Sequence, residues 1–200
     1  VEKAYCVALD YVTEPEQKVF FIRQLQNICG KEAVPTLSKY LSDPYLGAFA
    51  ARAIVQSASE DGKQALRTAL PQSSGTNQLA IVQAIGDMHD DKAESLILAL
   101  AKSTPKENEA LKKICHFGLG RIGSKLSLPY LAAEAVKVNY ASDKTFATDG
   151  YIRLLKRMTE IGQVNEAELE AAKLLNTVSS STLPHIKSSA LFVLYMARKE

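Results

Sequence analysis

Leu119-Gly120-Arg121-Ile122-Gly123, with Ser127-Leu128-Pro129-Tyr130-Leu131 four residues further on, reads as the end of one helix and the opening of the next. Leu119 and Ile122 fall three apart, so they share a helical face, while Gly123 marks a stop and Pro129 sits where a first helical turn tolerates it. Outward from this stretch the same pattern recurs. Leu25, Ile54, Ile85 and Leu119 stand at intervals of 29, 31 and 34 residues. Twelve residues after each come Leu37, Leu66, Ile97 and Leu131, and four beyond those come Leu41, Leu70, Ala101 and Ala135. A fourth column, three past the first, holds Ile28, Ser57, Met88 and Ile122. Such a period marks a repeat architecture, in which each unit is one helical hairpin too small to hide its own apolar face.

Helix signals surround these columns. Thr13-Glu14-Pro15-Glu16 and Thr104-Pro105-Lys106-Glu107 read as capping boxes with proline at the first helical position. Asp43-Pro44, Asp91 with Glu94, and Asn165 with Glu168 read as further starts. Turns are expected at Gly30-Lys31-Glu32, Ser59-Glu60-Asp61-Gly62, His89-Asp90-Asp91 and Gly123-Ser124-Lys125. Alternation of the strand type never persists. Gly86, Gly118 and Gly120 lie inside first helices, where glycine costs about 1 kcal/mol against alanine, and close helix approach is the expected return. Gly123 reads as a left-handed stop. Within Lys102 to Lys113, read as solvated helix ends and faces, Glu109 and Lys113 have the spacing of an i,i+4 pair.

The expected fold is therefore all-α, an α-α superhelix of about five helical hairpins with partial helices at each end. The approximate units are 1–13 (partial), 14–43, 44–75, 76–105, 106–142, 143–182 and 183–200 (partial), within one domain spanning 1–200. The fifth pair, Tyr151 to Ile161 and Ala167 to Leu175, is longer and its repeat pattern looser. Residues 2–12 and 184–198 look like halves of hairpins, the latter a lone helix in want of a partner. That, with Val1 at the start, gives the expectation of a piece of a longer polypeptide.

The quoted stretch resembles the HEAT-like repeat of the phycobilisome-lyase type, with its L-G-x-I-G ending and A-V-P-x-L opening. Ala33-Val34-Pro35-Thr36-Leu37 matches that opening, and Ile85-Gly86-Asp87-Met88 most of that ending. The resemblance covers roughly residues 14–137, and it implies a HEAT-like solenoid while saying little about function.

Composition limits the function classes. With 46% apolar residues the chain can bury a core, so disorder is excluded. Lysine and arginine (24) nearly balance aspartate and glutamate (22), and a net charge of +2 argues against nucleic acid or an anionic membrane as the main partner. No apolar run reaches the ~20 residues of a membrane span, so a soluble chain is expected. Cys6, Cys29 and Cys115 form neither a disulfide framework nor a CxxC motif, and they leave the compartment open.

No catalytic constellation emerges. Of the histidines, His89 and Cys29 take equivalent positions two repeats apart, on the order of 20 Å at ~8–10 Å per helix, too far to share a metal. Cys115 and His116 are adjacent on a helix and diverge by ~100°; Cys115 reads as a core residue and His116 as a helix-face histidine. The Gly118, Gly120, Gly123 spacing matches a nucleotide fingerprint but ends a helix instead of following a strand. Deoxyhypusine hydroxylase resembles the layout but implies His-Glu pairs, and Asp90, Phe117 and Ile186 follow the histidines here. HEAT-like alkylpurine DNA glycosylases imply an aromatic and basic inner face, whereas this chain has no tryptophan.

In HEAT-type arrays the second helices line the inner surface. Its outward positions would be Lys39, Thr68, Ala99 and Ala133, then Ser42, Pro71, Lys102 and Val136: small and mixed, with no basic stripe. Such a floor suits a protein loop or peptide. Lys39, Tyr40, Arg67, Lys102, Tyr130 and Lys137 are the candidate partner-binding residues, since tyrosine and arginine favour contact hot spots. The functional expectation is a non-catalytic scaffold that binds another protein or a neighbouring domain of its own polypeptide, without cofactor or metal. The alternative is an enzyme on the same scaffold, of lyase or DNA-repair glycosylase type.

Overall fold

A computed structural model describes residues 1–178 and 183–199. It contains twelve α-helices and, among the described residues, no strand. These are α1 (Glu2–Tyr11), α2 (Pro15–Ile28), α3 (Val34–Ser38), α4 (Gly47–Val55), α5 (Glu60–Ala69), α6 (Gly75–Asp87), α7 (Glu94–Ser103), α8 (Glu109–Ile122), α9 (Leu128–Lys137), α10 (Ala147–Glu160), α11 (Val164–Thr177) and α12 (Pro184–Ala197). The all-α class expected from sequence is thus the class observed. No described helix is long and apolar enough to cross a membrane. The chain divides into two compact units, Val1–Leu96 and Ile97–Glu200, with the division inside α7.

In the first unit, helices pack in chain order: α1 on α2, α2 on α4 and α4 on α6, while the shorter α3 and α5 lie against α4 and against each other. In the second, α8 and α9 pack on α10, and α10, α11 and α12 pack mutually. The three main sequence columns account for both cores. Leu25, Ile54, Ile85 and Leu119 are fully buried, as are Leu37, Leu66, Ile97 and Leu131, and Leu41, Leu70, Ala101 and Ala135 are buried as well. At ~25 cal/mol per Å² these leucines and isoleucines each contribute about 1.5–3 kcal/mol. The fourth column is less regular: Met88 and Ile122 are buried, but Ser57 is half-buried and Ile28 is 40% exposed. Helix α2 ends there, and the buried Cys29 takes the inward direction in extended conformation.

Several local expectations need correction. Pro15 does open α2, but Glu14 and not Thr13 is the cap residue, and no side chain caps it. Residues 104–107 start no helix: the Thr104 hydroxyl donates back to the Leu100 carbonyl (2.7 Å), closing α7. Asn108 caps α8 instead, accepting from the Leu111 N–H (3.1 Å). Asp43 caps a turn whose Tyr45 and Leu46 N–H groups donate to it (2.8 Å each), and α4 proper begins at Gly47. Ser59–Gly62 is a capped first turn, not a connection, since the Ser59 hydroxyl accepts from the Gly62 N–H (3.1 Å). Asn165 lies inside the first turn of α11, whose cap residue is Gln163. Residues 184–198 are no lone helix, because α12 packs on α10 and α11.

Gly123 is not left-handed; its φ of −69° and ψ of 166° are extended, and it is small because a Cβ there would strike the Leu119 carbonyl and the Leu154 side chain. Left-handed backbone falls instead on Gly75 and Gly162 and, at roughly 1–2 kcal/mol each, on the non-glycine residues Ala58, His89, Asn139, Tyr140 and Phe146. The close approach expected of Gly120 is real. A Cβ on it would stand 2.9 Å from the Gly150 carbonyl oxygen, and one on Gly150 would stand 2.8 Å from the His116 carbonyl oxygen. Backbone of α8 and α10 therefore meets directly, which fixes where His116 can reach.

Candidate functional site

The outward positions of the second helices are all exposed: Lys39, Thr68, Ala99 and Ala133, and likewise Ser42, Pro71, Lys102 and Val136. In the first unit this exposure forms a furrow. Because Leu37 and Leu41 on one side and Leu66 and Leu70 on the other turn inward, the residues between them are left lining the surface. A recess of about 270 Å3 runs between Ser38, Leu41 and Ser42 and the α5 residues Ala65, Thr68, Ala69 with Gln72. A second of about 270 Å3 adjoins it, sharing Ser42 and Gln72 and extending along Ser73, Ser74 and Thr76 to Asn77.

Hydroxyl and amide groups share this lining with Leu41, Ala65, Ala69 and Pro44. The Ser38 hydroxyl donates to the Val34 carbonyl (2.7 Å) and the Ser73 hydroxyl to the Leu70 carbonyl (2.8 Å), so each keeps acceptor capacity. Asn77 Nδ2 donates to the Asp43 carbonyl (2.6 Å), tying α6 to the turn before α4. Its Oδ1 is buried with no hydrogen-bond partner among the described residues. An orphaned buried acceptor costs about 1–3 kcal/mol.

The candidate contact residues fall into two groups. Lys39 is exposed, 3.7 Å from Asp10, and Lys102 and Lys137 are exposed too, the last paired with Glu134. Tyr40 is half-buried, its hydroxyl donating to the Leu9 carbonyl (3.3 Å) and its ring lying under Lys18. Arg67 is pinned internally. Its Nη1 donates to both Asp90 oxygens (2.5 and 2.6 Å), and its Nη2 to Glu60 (2.7 Å) and Gln64 (2.8 Å). Hydrogen bonds from Arg67 and Lys92 hold the Glu60 carboxyl down at about 2. Gln72, Ser73, Ser74 and Asn77 were not singled out by the sequence; their only signal is that they follow the outward column at Thr68 and Pro71.

In the second unit Tyr130 turns inward to His116, which has no exposed surface and is therefore not the helix-face residue expected. His116 Nδ1 lies 2.8 Å from the Thr145 carbonyl, so that nitrogen carries a proton. Nε2 lies 3.3 Å from the Tyr130 hydroxyl, which also has the Ala101 carbonyl at 3.2 Å. With a neutral ring one hydroxyl proton faces two acceptors. Protonating Nε2 would satisfy both, but burial opposes the charge and the His116 pKa is lowered despite the hydrogen bond to Thr145. Nearby, Lys112 is buried and 3.9 Å from Glu134, contrary to its reading as solvated. The Glu109–Lys113 pair does not form: Glu109 meets Lys144 (3.6 Å), and Lys113 sits 4.1 Å over the Phe146 ring.

A group whose folded pKa lies below its unfolded value resists protonation only while folded. Stability tied to His116 is therefore whole above about 6.5, its unperturbed value, and drains as pH falls below it. Urea unfolding between pH 7.5 and 5 is expected to show an acid loss of stability whose slope falls by up to about one proton in His116→Gln. Equal slopes in the two proteins would remove His116 from the account.

Burial pushes the Cys29 and Cys115 thiols up to about 12, so neither is a thiolate nucleophile near neutral pH. No group of three or more histidine, cysteine or acidic residues among those described could hold a metal ion. Comparison with protein-family models, with curated proteins and with solved structures gave no match.

Proposed function

We propose that this chain is a HEAT-like helical array that works as a non-catalytic scaffold, binding an extended segment of another protein, or of a neighbouring domain, along the α3–α5 furrow. The observation that carries the reading is the furrow itself: two adjoining recesses walled by serine, threonine, glutamine and asparagine side chains interleaved with Leu41, Ala65, Ala69 and Pro44. An extended peptide brings alternating N–H and C=O groups, and side chains of this kind answer both. The chain-order packing of α2, α4 and α6, and the burial of all three main sequence columns, support the repeat reading. Lys39 follows Ser38 directly and supplies a contact beside the furrow, while Tyr40, bonded to the Leu9 carbonyl, supports that edge. Arg67 and Tyr130, bonded internally, shape the surface and do not reach from it.

Selection of random peptides against the whole chain tests this. Enriched peptides are expected to bind the parent and to weaken at least about tenfold against Thr68→Arg, which fills the furrow from an exposed position without touching the core. Equal binding to both proteins, with the variant folded, would contradict the furrow.

A further inference from the structure

The second unit holds a larger cleft, about 530 Å3, between α10, the start of α12 and the connection 141–146. That volume lies in the range of small-ligand sites. Its lining comes from residues of the second unit alone. Ile152 and Ile186, both buried, give an apolar floor, and Phe146 gives an aromatic wall. Phe146 is held there at cost: its φ of 54° is left-handed, and Lys113 packs on its ring. The connection is pinned by Asp143, which accepts from the Thr145 N–H (2.8 Å), the Thr145 hydroxyl (2.5 Å) and the Ala147 N–H (3.0 Å). Burial alone would raise the Asp143 carboxyl, but these bonds hold it below the usual range.

The charges in the lining can be paired off. Asp149 is neutralised by Arg153, whose Nε donates to it (2.7 Å). Asp143 has its charge spread over three donors. Lys156 is left: its ammonium stands 5.2 Å over the Phe192 ring, and among the described residues it has no carboxylate partner. His185 adds a ring that can donate or accept. The two cations and two carboxylates of the lining balance in sum, but Lys156 alone has no carboxylate held against it, and beside an apolar floor and an aromatic wall it suits one negative charge on an apolar body. A dianion would meet Asp143 and Asp149.

We infer that this cleft binds a monoanionic carboxylate carried on an apolar group about the size of one ring, with Lys156 as the anion partner and Phe146, Ile152 and Ile186 around the apolar part. Such chemistry occurs in a free small acid and at the C-terminus of a polypeptide ending in an apolar residue.

Amide chemical shifts of the full chain, titrated with phenylacetate and with N-acetyl-Ala-Ala-Phe, test both sources against their neutral amides. Saturable shifts at the cleft are expected with one or both acids, and at least about fivefold weaker binding for the matching amide. Lys156→Met should cost the acid at least about fivefold and leave the amide unchanged, while Lys173→Met, at an exposed lysine on α11, should change neither. Raising salt from 50 to 500 mM should weaken the acid alone in the parent, a reading that needs no variant. Binding by the small acid only, or by the peptide only, identifies the source. No saturable binding, equal affinity of acid and amide, or indifference to both Lys156→Met and salt would overturn the inference.

Discussion

Leu119→Asp is expected to abolish cooperative folding of the second unit. Leu119 is fully buried in the last turn of α8, the helix whose backbone meets α10 at Gly120 and Gly150. The substitution forfeits about 1.5–3 kcal/mol of apolar burial and places a carboxylate at a position with no solvent exposure. Relaxation and protonation reduce that penalty, yet a loss of at least about 5 kcal/mol remains, comparable to the whole stability of a domain. Leu119→Met conserves volume and should cost less than about 1.5 kcal/mol. Circular dichroism during urea unfolding separates the outcomes. A parent-like transition for Leu119→Asp would mean that position 119 is not a core position and that the repeat register is misplaced.

Asp90→Ala should cost about 3–5 kcal/mol, the larger part from what it leaves behind. Asp90 is 2% exposed and the Arg67 side chain 10%, and their two short hydrogen bonds join α5 to the turn after α6. Removing the carboxylate strands a guanidinium that retains only Glu60 and Gln64 at its outer nitrogen. Arg67→Met combined with Asp90→Leu removes both charges and should recover most of the loss, because a buried pair replaced by apolar groups is often nearly neutral. A double variant as unstable as Asp90→Ala alone would show that the cost lies in the turn geometry and not in the stranded charge.

The comparison of Arg67 with Leu119 shows what the sequence can and cannot disclose. Leu119, Leu131 and Ala135 were legible because apolar spacing of three and four residues follows directly from helix geometry, and because the twelve-residue step from one helix to the next recurs along the chain. Arg67 and Tyr130 carry the composition of contact residues, but whether such side chains face a partner or their own interior depends on what stands opposite. In both cases an internal acceptor stands there: Asp90 for the arginine, the Ala101 carbonyl for the tyrosine. Caps were misread for a similar reason. Thr104 and Asn108 both offer a side-chain oxygen, and only the carbonyl of Leu100 decides that the threonine closes one helix while the asparagine opens the next.

The furrow and the cleft were less legible still. Ser42 and Gln72 are thirty residues apart in sequence, and the furrow exists only because α3 and α5 lie side by side. The cleft needs Phe146 in a left-handed conformation, which no phenylalanine announces. Outward columns could be named in advance; the hollows between them could not.

The most direct measurement is a methyl NOE network in the first unit, with Val19, Ile22 and Leu25 on α2, Ala50 and Ile54 on α4, and Ile81, Val82 and Ile85 on α6 as probes. Stacking in chain order requires the α2 methyls to be connected chiefly to those of α4, and the α4 methyls to those of α6. An α2 set tied to α6 in preference to α4, as in an interleaved bundle, would contradict the repeat account at its root.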